Sequence, residues 1–106
     1  MLVEITKENF EQIVLKSEIP VLLDFYADWC GPCKMLQPTM ERLSEEFADV
    51  AIIAKVNVEN NPDITTEYGI IVIPAVIVVK NGKSVGDRMT GAKTYNSYAD
   101  RLREVI

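Results

Sequence analysis

The apolar positions change period several times along the chain, and each change marks an element. Leu2 to Ile5 is a short β-like run. Thr6 follows with a hydroxyl able to cap a helix, and Ile5 and Phe10 have the spacing of a hydrophobic staple. Phe10, Ile13 and Val14 recur at helical spacing, which predicts a helix to about Ser17 before Pro20 interrupts the chain. Val21 to Ala27 is apolar on both alternating faces, the pattern of a strand covered on both sides. From Cys30 or Gly31 the period turns helical, with Leu36, Met40, Leu43 and Phe47 in one stripe. Pro38 lies inside that stripe, removes a backbone donor and crowds the preceding turn. A kink between Lys34 and Pro38 is expected, because a helix beginning only at Pro38 leaves Leu36 outside its own stripe.

Ala51 to Val58 reads as the next strand. Asn61-Pro62 pairs a capping residue with a proline suited to the first helical position, and Gly69 suits a helix end, so Pro62 to Tyr68 is a short helix. Ala75 to Lys80, Asn81-Gly82 and Lys83 to Thr90 form a hairpin signal. Gly86 inside the second arm suggests a bulge, and Gly91 ends that arm. Thr94 caps a last helix that turns Tyr95, Tyr98, Leu102 and Val105 inward. The order is β-α-β-α-β-α-β-β-α. It implies an α/β layered fold over residues 1–106, read as one domain, with a mixed five-stranded sheet flanked by four helices.

Length and composition add bounds. A chain of 106 residues is long enough for a hydrophobic core without staples or metals. The net charge of −5, with no basic block, argues against nucleic acid and anionic membranes as partners. The longest apolar run, Ile70 to Val79, is too short to span a bilayer, and the first residues do not resemble a signal peptide. The expectation is a cytoplasmic protein, most simply a monomer.

Two features break the apolar pattern. Asp24 stands inside the strand Val21 to Ala27, and Lys55 interrupts Ala51 to Val58 in the same way. The only two cysteines, Cys30 and Cys33, follow Asp24 closely, and the chain has no histidine. A closed zinc site wants four ligands, so a metal held by this chain alone is not expected. A pair this close in a reducing compartment points instead to redox chemistry. Cys30 sits where a strand gives way to a helix, where free N–H groups and partial positive charge favour a thiolate, and Lys34 adds charge one turn on. Cys30 is therefore the candidate nucleophile. Cys33, further into the helix and expected to be more buried, is the candidate resolving thiol. The bland reading of the pair, two small buried hydrophobes, does not account for this setting.

The run Trp29 to Lys34, WCGPCK, resembles the active site of the thioredoxin family. The likeness continues through VLLDFYADWCGPCKML, AKVNVENNP, YGI, IPA, VKNGK and TGA in the family's order. The resemblance implies the thioredoxin fold and reduction of protein disulfides through a Cys30–Cys33 disulfide. It also implies recharging by a thioredoxin reductase and no other cofactor. It further implies that Asp24 takes and returns the proton of Cys33, and it places Lys55 beside Asp24. Spacing alone leaves two bland alternatives: Asp24 against an unrelated donor or in solvent, and Lys55 snorkelling to water. Ile73-Pro74 matches the family's cis-proline, which frees the backbone of Ile73 to pair with a substrate chain. Trp29, Gly31, Pro32, Ile71, Val72, Ile73, Pro74 and Gly91 then form the substrate-contacting rim, although Trp29 and the isoleucine run could also be plain core.

The sequence departs from the usual family pattern at Tyr26, where many relatives have tryptophan, and at Ile71, Val72 and Ala75, where polar, small or threonine residues are usual. A more apolar rim bears on partner choice. Two other functions fit the same resemblance. An oxidase or isomerase often carries histidine between its cysteines, and Gly31-Pro32 points away from it. A non-catalytic binding subunit would use the rim without electron transfer.

Overall fold

The computed structural model describes residues 2–106. Five strands form one mixed sheet in the order β1-β3-β2-β4-β5. They are β1 Leu2–Glu4, β2 Val21–Tyr26, β3 Ile52–Asn57, β4 Ala75–Lys80 and β5 Lys83–Thr90. β1 and β2 both lie parallel to β3, whereas β2–β4 and β4–β5 are antiparallel. Helices cover both faces, as the thioredoxin fold requires. The strand in the middle, β2, is buried along nearly its whole length, which is why it reads as continuously apolar.

Alternation along β2 divides its side chains between two cores. Leu22 faces Leu36, Met40, Leu43 and Tyr98 on one side, while Leu23 and Phe25 face Val14, Val56 and Ile77 on the other. Asp24 shares the face of Leu22, so it points toward the cysteine-bearing helix.

The helix with the cysteines is bent. Its first part, α1 Gly31–Met35, meets the second, α2 Gln37–Glu46, at Leu36. The Leu36 N–H is shared between the carbonyls of Pro32 and Cys33, at 3.3 and 3.2 Å, and Pro38 offers no N–H to continue the ladder. The expected kink is present, and Leu36 stays buried with the rest of its stripe.

Two elements differ in detail from their expected form. The N-terminal helix is a π-type turn, Glu11–Leu15, closed by a bond from the Lys16 N–H to the Glu11 carbonyl at 3.0 Å. Phe10, Ile13 and Val14 fit a wider turn as well as an α-helix because so few residues sample the period. Thr6 caps the preceding turn as expected, in a reciprocal pair with Asn9. Asn61 does not cap α3, Pro62–Glu67; its amide donates to the carbonyls of Asn57 and Ile5, tying the ends of two strands. Tyr95 and Val105 turn inward as expected, partly buried against the core that holds Tyr98 and Leu102. The last helix, α4 Tyr95–Arg103, is capped by Thr94, whose hydroxyl accepts the Ser97 N–H at 3.3 Å.

Asn81 and Gly82 both take positive φ, as a two-residue hairpin demands. The β4–β5 register slips between Val76 and Val78, opposite Gly86 at φ +74°, so the bulge lies where the glycine suggested. Among the described residues, no helix is long and apolar enough to cross a membrane.

Candidate active site

Cys30 stands just before α1, in extended conformation, after β2 has ended. It is joined to Cys33 by a disulfide across a Cα–Cα distance of 5.2 Å. The Cys30 Sγ accepts a hydrogen bond from the Cys33 N–H at 3.3 Å, so the sulfur itself fills the capping role at the helix start. An N–H aimed at sulfur stabilises a thiolate once the disulfide opens. The two cysteines are almost equally covered, at 6 and 5 % exposure, so depth does not separate them as expected. What distinguishes them is the donor aimed at Cys30. Gly31 and Pro32 lie exposed between them.

Asp24 is 1 % exposed, and its Oδ1 has no hydrogen-bond partner. Burial is the main cause that lifts its carboxyl to about 7; Lys55 opposes this, and Glu4 adds to it. Such a group changes charge near neutrality, which suits proton transfer.

Lys55 is Asp24's register neighbour on β3, and Glu4 is Lys55's neighbour on β1. Yet the Lys55 ammonium donates to Gln37 Oε1 at 2.6 Å and lies 4.1 Å from the centroid of the Tyr26 ring. Among the described residues, no carboxylate stands within ion-pair distance of it. The two residues are electrostatic neighbours rather than a salt bridge. A cavity of about 450 Å³ opens between Tyr26, Cys33, Lys34, Gln37 and Lys55. A second cavity, about 420 Å³ between Phe10, Ile64 and Tyr68, contains neither cysteine.

On the other side of the disulfide, Ile73-Pro74 is cis, and Ile73 packs against Ala27, Cys30 and Cys33. Among the described residues, neither the N–H nor the C=O of Ile73 has a hydrogen-bond partner in the chain. The Gly91 N–H donates to the Pro74 carbonyl at 2.8 Å, which fixes the neighbouring edge. Trp29 and Ile71 are 68 and 93 % exposed, and Val72 is also exposed. The core reading of these side chains is therefore wrong, while Ile73 is half-buried.

Two residues of this region gave no clear sign in the sequence. Met35, two residues past Cys33, presents an exposed apolar side chain. Gln37 reads as an ordinary surface position next to Pro38; only its i, i+4 spacing to Glu41 hints at a fixed side chain. Among the described residues, no group of three or more His, Cys, Asp or Glu is placed to hold a metal ion.

Comparison with known proteins agrees with this geometry. The family model described as Thioredoxin matches residues 1–104. The thioredoxin of Chlorobaculum thiosulfatiphilum is 47 % identical over 103 residues, 97 % of this chain and 94 % of that protein. That of Rickettsia prowazekii is 40 % identical over the full length of both chains. Thioredoxin 1 of Synechococcus elongatus is 40 % identical over 98 residues, 92 % of this chain and 91 % of that protein.

Proposed function

This chain belongs to the thioredoxin family of protein-disulfide oxidoreductases, and on that premise we propose that it is a cytoplasmic, monomeric reductant of protein disulfides, recharged by a thioredoxin reductase. The observation that carries the reading is the capped sulfur of Cys30, together with a buried carboxyl on β2 that titrates near neutral pH.

Reduction begins with the thiolate of Cys30. It attacks one sulfur of a substrate disulfide; a new S–S bond forms to Cys30, and the other substrate sulfur leaves and takes up a proton. The unpaired backbone of Ile73 pairs with the substrate chain beside the disulfide, while Trp29, Ile71 and Val72 cover its apolar flanks. Backbone pairing asks little of the substrate's sequence, which suits a carrier with many targets.

Resolution needs a second thiolate. Ionised Asp24 removes the proton from Cys33, whose sulfur attacks Cys30 and expels the second substrate thiol. Two electrons pass to the substrate, and the Cys30–Cys33 disulfide is left. A reductase returns the pair to dithiol, with Asp24 giving its proton back to Cys33. Lys55 attracts the negative charge on Asp24 without neutralising it by contact.

The test is reduction of insulin, followed by turbidity as its chains separate, with dithiothreitol and then with NADPH and a bacterial thioredoxin reductase. Rapid precipitation that is lost in Cys30→Ser supports the reading. Binding to the reductase without electron transfer would favour the non-catalytic subunit, and net oxidation of reduced substrates would favour the oxidase.

A further inference from the structure

The Lys55 ammonium could neutralise Asp24, its immediate register neighbour, but it is engaged elsewhere. Gln37 holds it from α2, and the Tyr26 ring lies against it from β2. Gln37 is itself oriented: its Nε2 donates to Glu41 Oε1 at 3.0 Å, one helical turn along, which leaves Oε1 to accept from Lys55. A reversed amide would set an N–H₂ group against an ammonium and lose both bonds. We propose that Gln37 is a positioning residue of the redox site, holding the Lys55 ammonium away from the Asp24 carboxyl.

The Lys55 side chain has two alternative placements. With Gln37 present, Lys55 has an acceptor and an aromatic face outside the buried row, and the Asp24 Oδ1 stays without a partner. Without that acceptor, Asp24 and Glu4 are the carboxylates flanking Lys55 on the neighbouring strands. Glu4 is exposed to water and accepts the Tyr26 hydroxyl at 2.8 Å, whereas the Asp24 Oδ1 is buried without a partner. The ammonium therefore turns to Asp24 and stabilises its ionised form. Tyr98 from α4 also feels the charge of Asp24, and Asp28 and Lys34 line the cavity shared by Cys33, Gln37 and Lys55; none of them hydrogen-bonds the Asp24 Oδ1. This inference extends the proposed role of Asp24 and rests on it for its meaning in catalysis.

The test follows the Asp24 side-chain carboxyl by ¹³C NMR titration of the oxidised protein alone, without substrate or reductase. Gln37→Leu should lower the Asp24 midpoint by about one pH unit, the size expected when an opposite charge moves into contact. Gln37→Glu should raise it, since its carboxylate holds Lys55 more firmly and adds negative charge. In a Lys55→Met background Gln37→Leu should have no effect, which separates positioning of the ammonium from simple packing. Midpoints that stay put, move in the same direction in both variants, or shift equally without Lys55 overturn the inference and leave the proposed function untouched. Should the midpoints move as stated while the pH profile of disulfide reduction does not follow, Gln37 keeps its positioning role and Asp24 loses its part in resolution.

Discussion

Asp24 carries an energetic cost that its neighbours do not remove. In the unfolded chain its carboxyl ionises near 3.8, and in the fold near 7, chiefly because it is buried. Between those values the folded chain holds a proton that the unfolded chain has released, so stability falls as pH rises through the window and levels off above about 7. A shift of that size corresponds to a cost on the order of 4 kcal/mol at alkaline pH. Asp24→Asn is therefore expected to raise the urea midpoint at pH 8, with the gap over the parent closing as the pH falls to about 4. The same variant should slow attack by Cys33 on a mixed disulfide by about one to two orders of magnitude and flatten its rise through neutral pH, read by stopped-flow fluorescence. Stabilisation together with slower resolution is the mark of a residue kept for chemistry.

At the level of elements, turns and helix starts place the cysteines, and backbone geometry decides which residues they tolerate. The bend at Leu36 lets α1 and α2 follow the sheet while Cys33 and Met40 both point inward. The β4–β5 hairpin packs its turn against the N-terminal π-helix: a side chain at Gly82 would begin 3.2 Å from the Leu15 carbonyl, at a φ of +78°. Gly82→Ala should therefore cost about 1–2 kcal/mol in equilibrium unfolding, from the left-handed backbone alone and more if Leu15 cannot retreat. The disulfide chemistry should be unchanged in the fraction that remains folded, because neither cysteine touches this turn.

Across the whole molecule, burial and exposure divide the work. Apolar side chains fill both faces of the sheet, yet Trp29, before Cys30, and Ile71 and Val72, before the cis-proline, remain exposed. Under the proposed function, the exposed Trp29, Ile71 and Val72 are the contact surface for disulfide partners. Ile71→Arg should leave the melting temperature nearly unchanged, since the side chain is 93 % exposed. It should lower kcat/KM toward reductase and protein substrates by about tenfold or more, the range expected from burying one isoleucine on docking. Equal rates for parent and variant across several disulfide substrates would remove Ile71 from the contact surface.

Much of this was written in the order of residues. Period changes located the five strands and the helices, Asn81-Gly82 and Gly86 fixed the hairpin and its bulge, and the spacing of Cys30 and Cys33 named the chemistry, because these are local signals carried by adjacent positions. Local signals could not separate a π-turn from an α-turn at Glu11–Leu15, nor say that Asn61 would tie two strands instead of capping a helix. They could not reveal that Lys55 would reach Gln37, a residue 18 positions away, with Tyr26 against its ammonium. Such contacts exist only after β2 and β3 pair and α2 packs across them. The chain's own order therefore determined the elements and the reacting atoms. The tertiary structure alone decided which charges meet, because electrostatic energy depends on distance and burial, and both are set by folding.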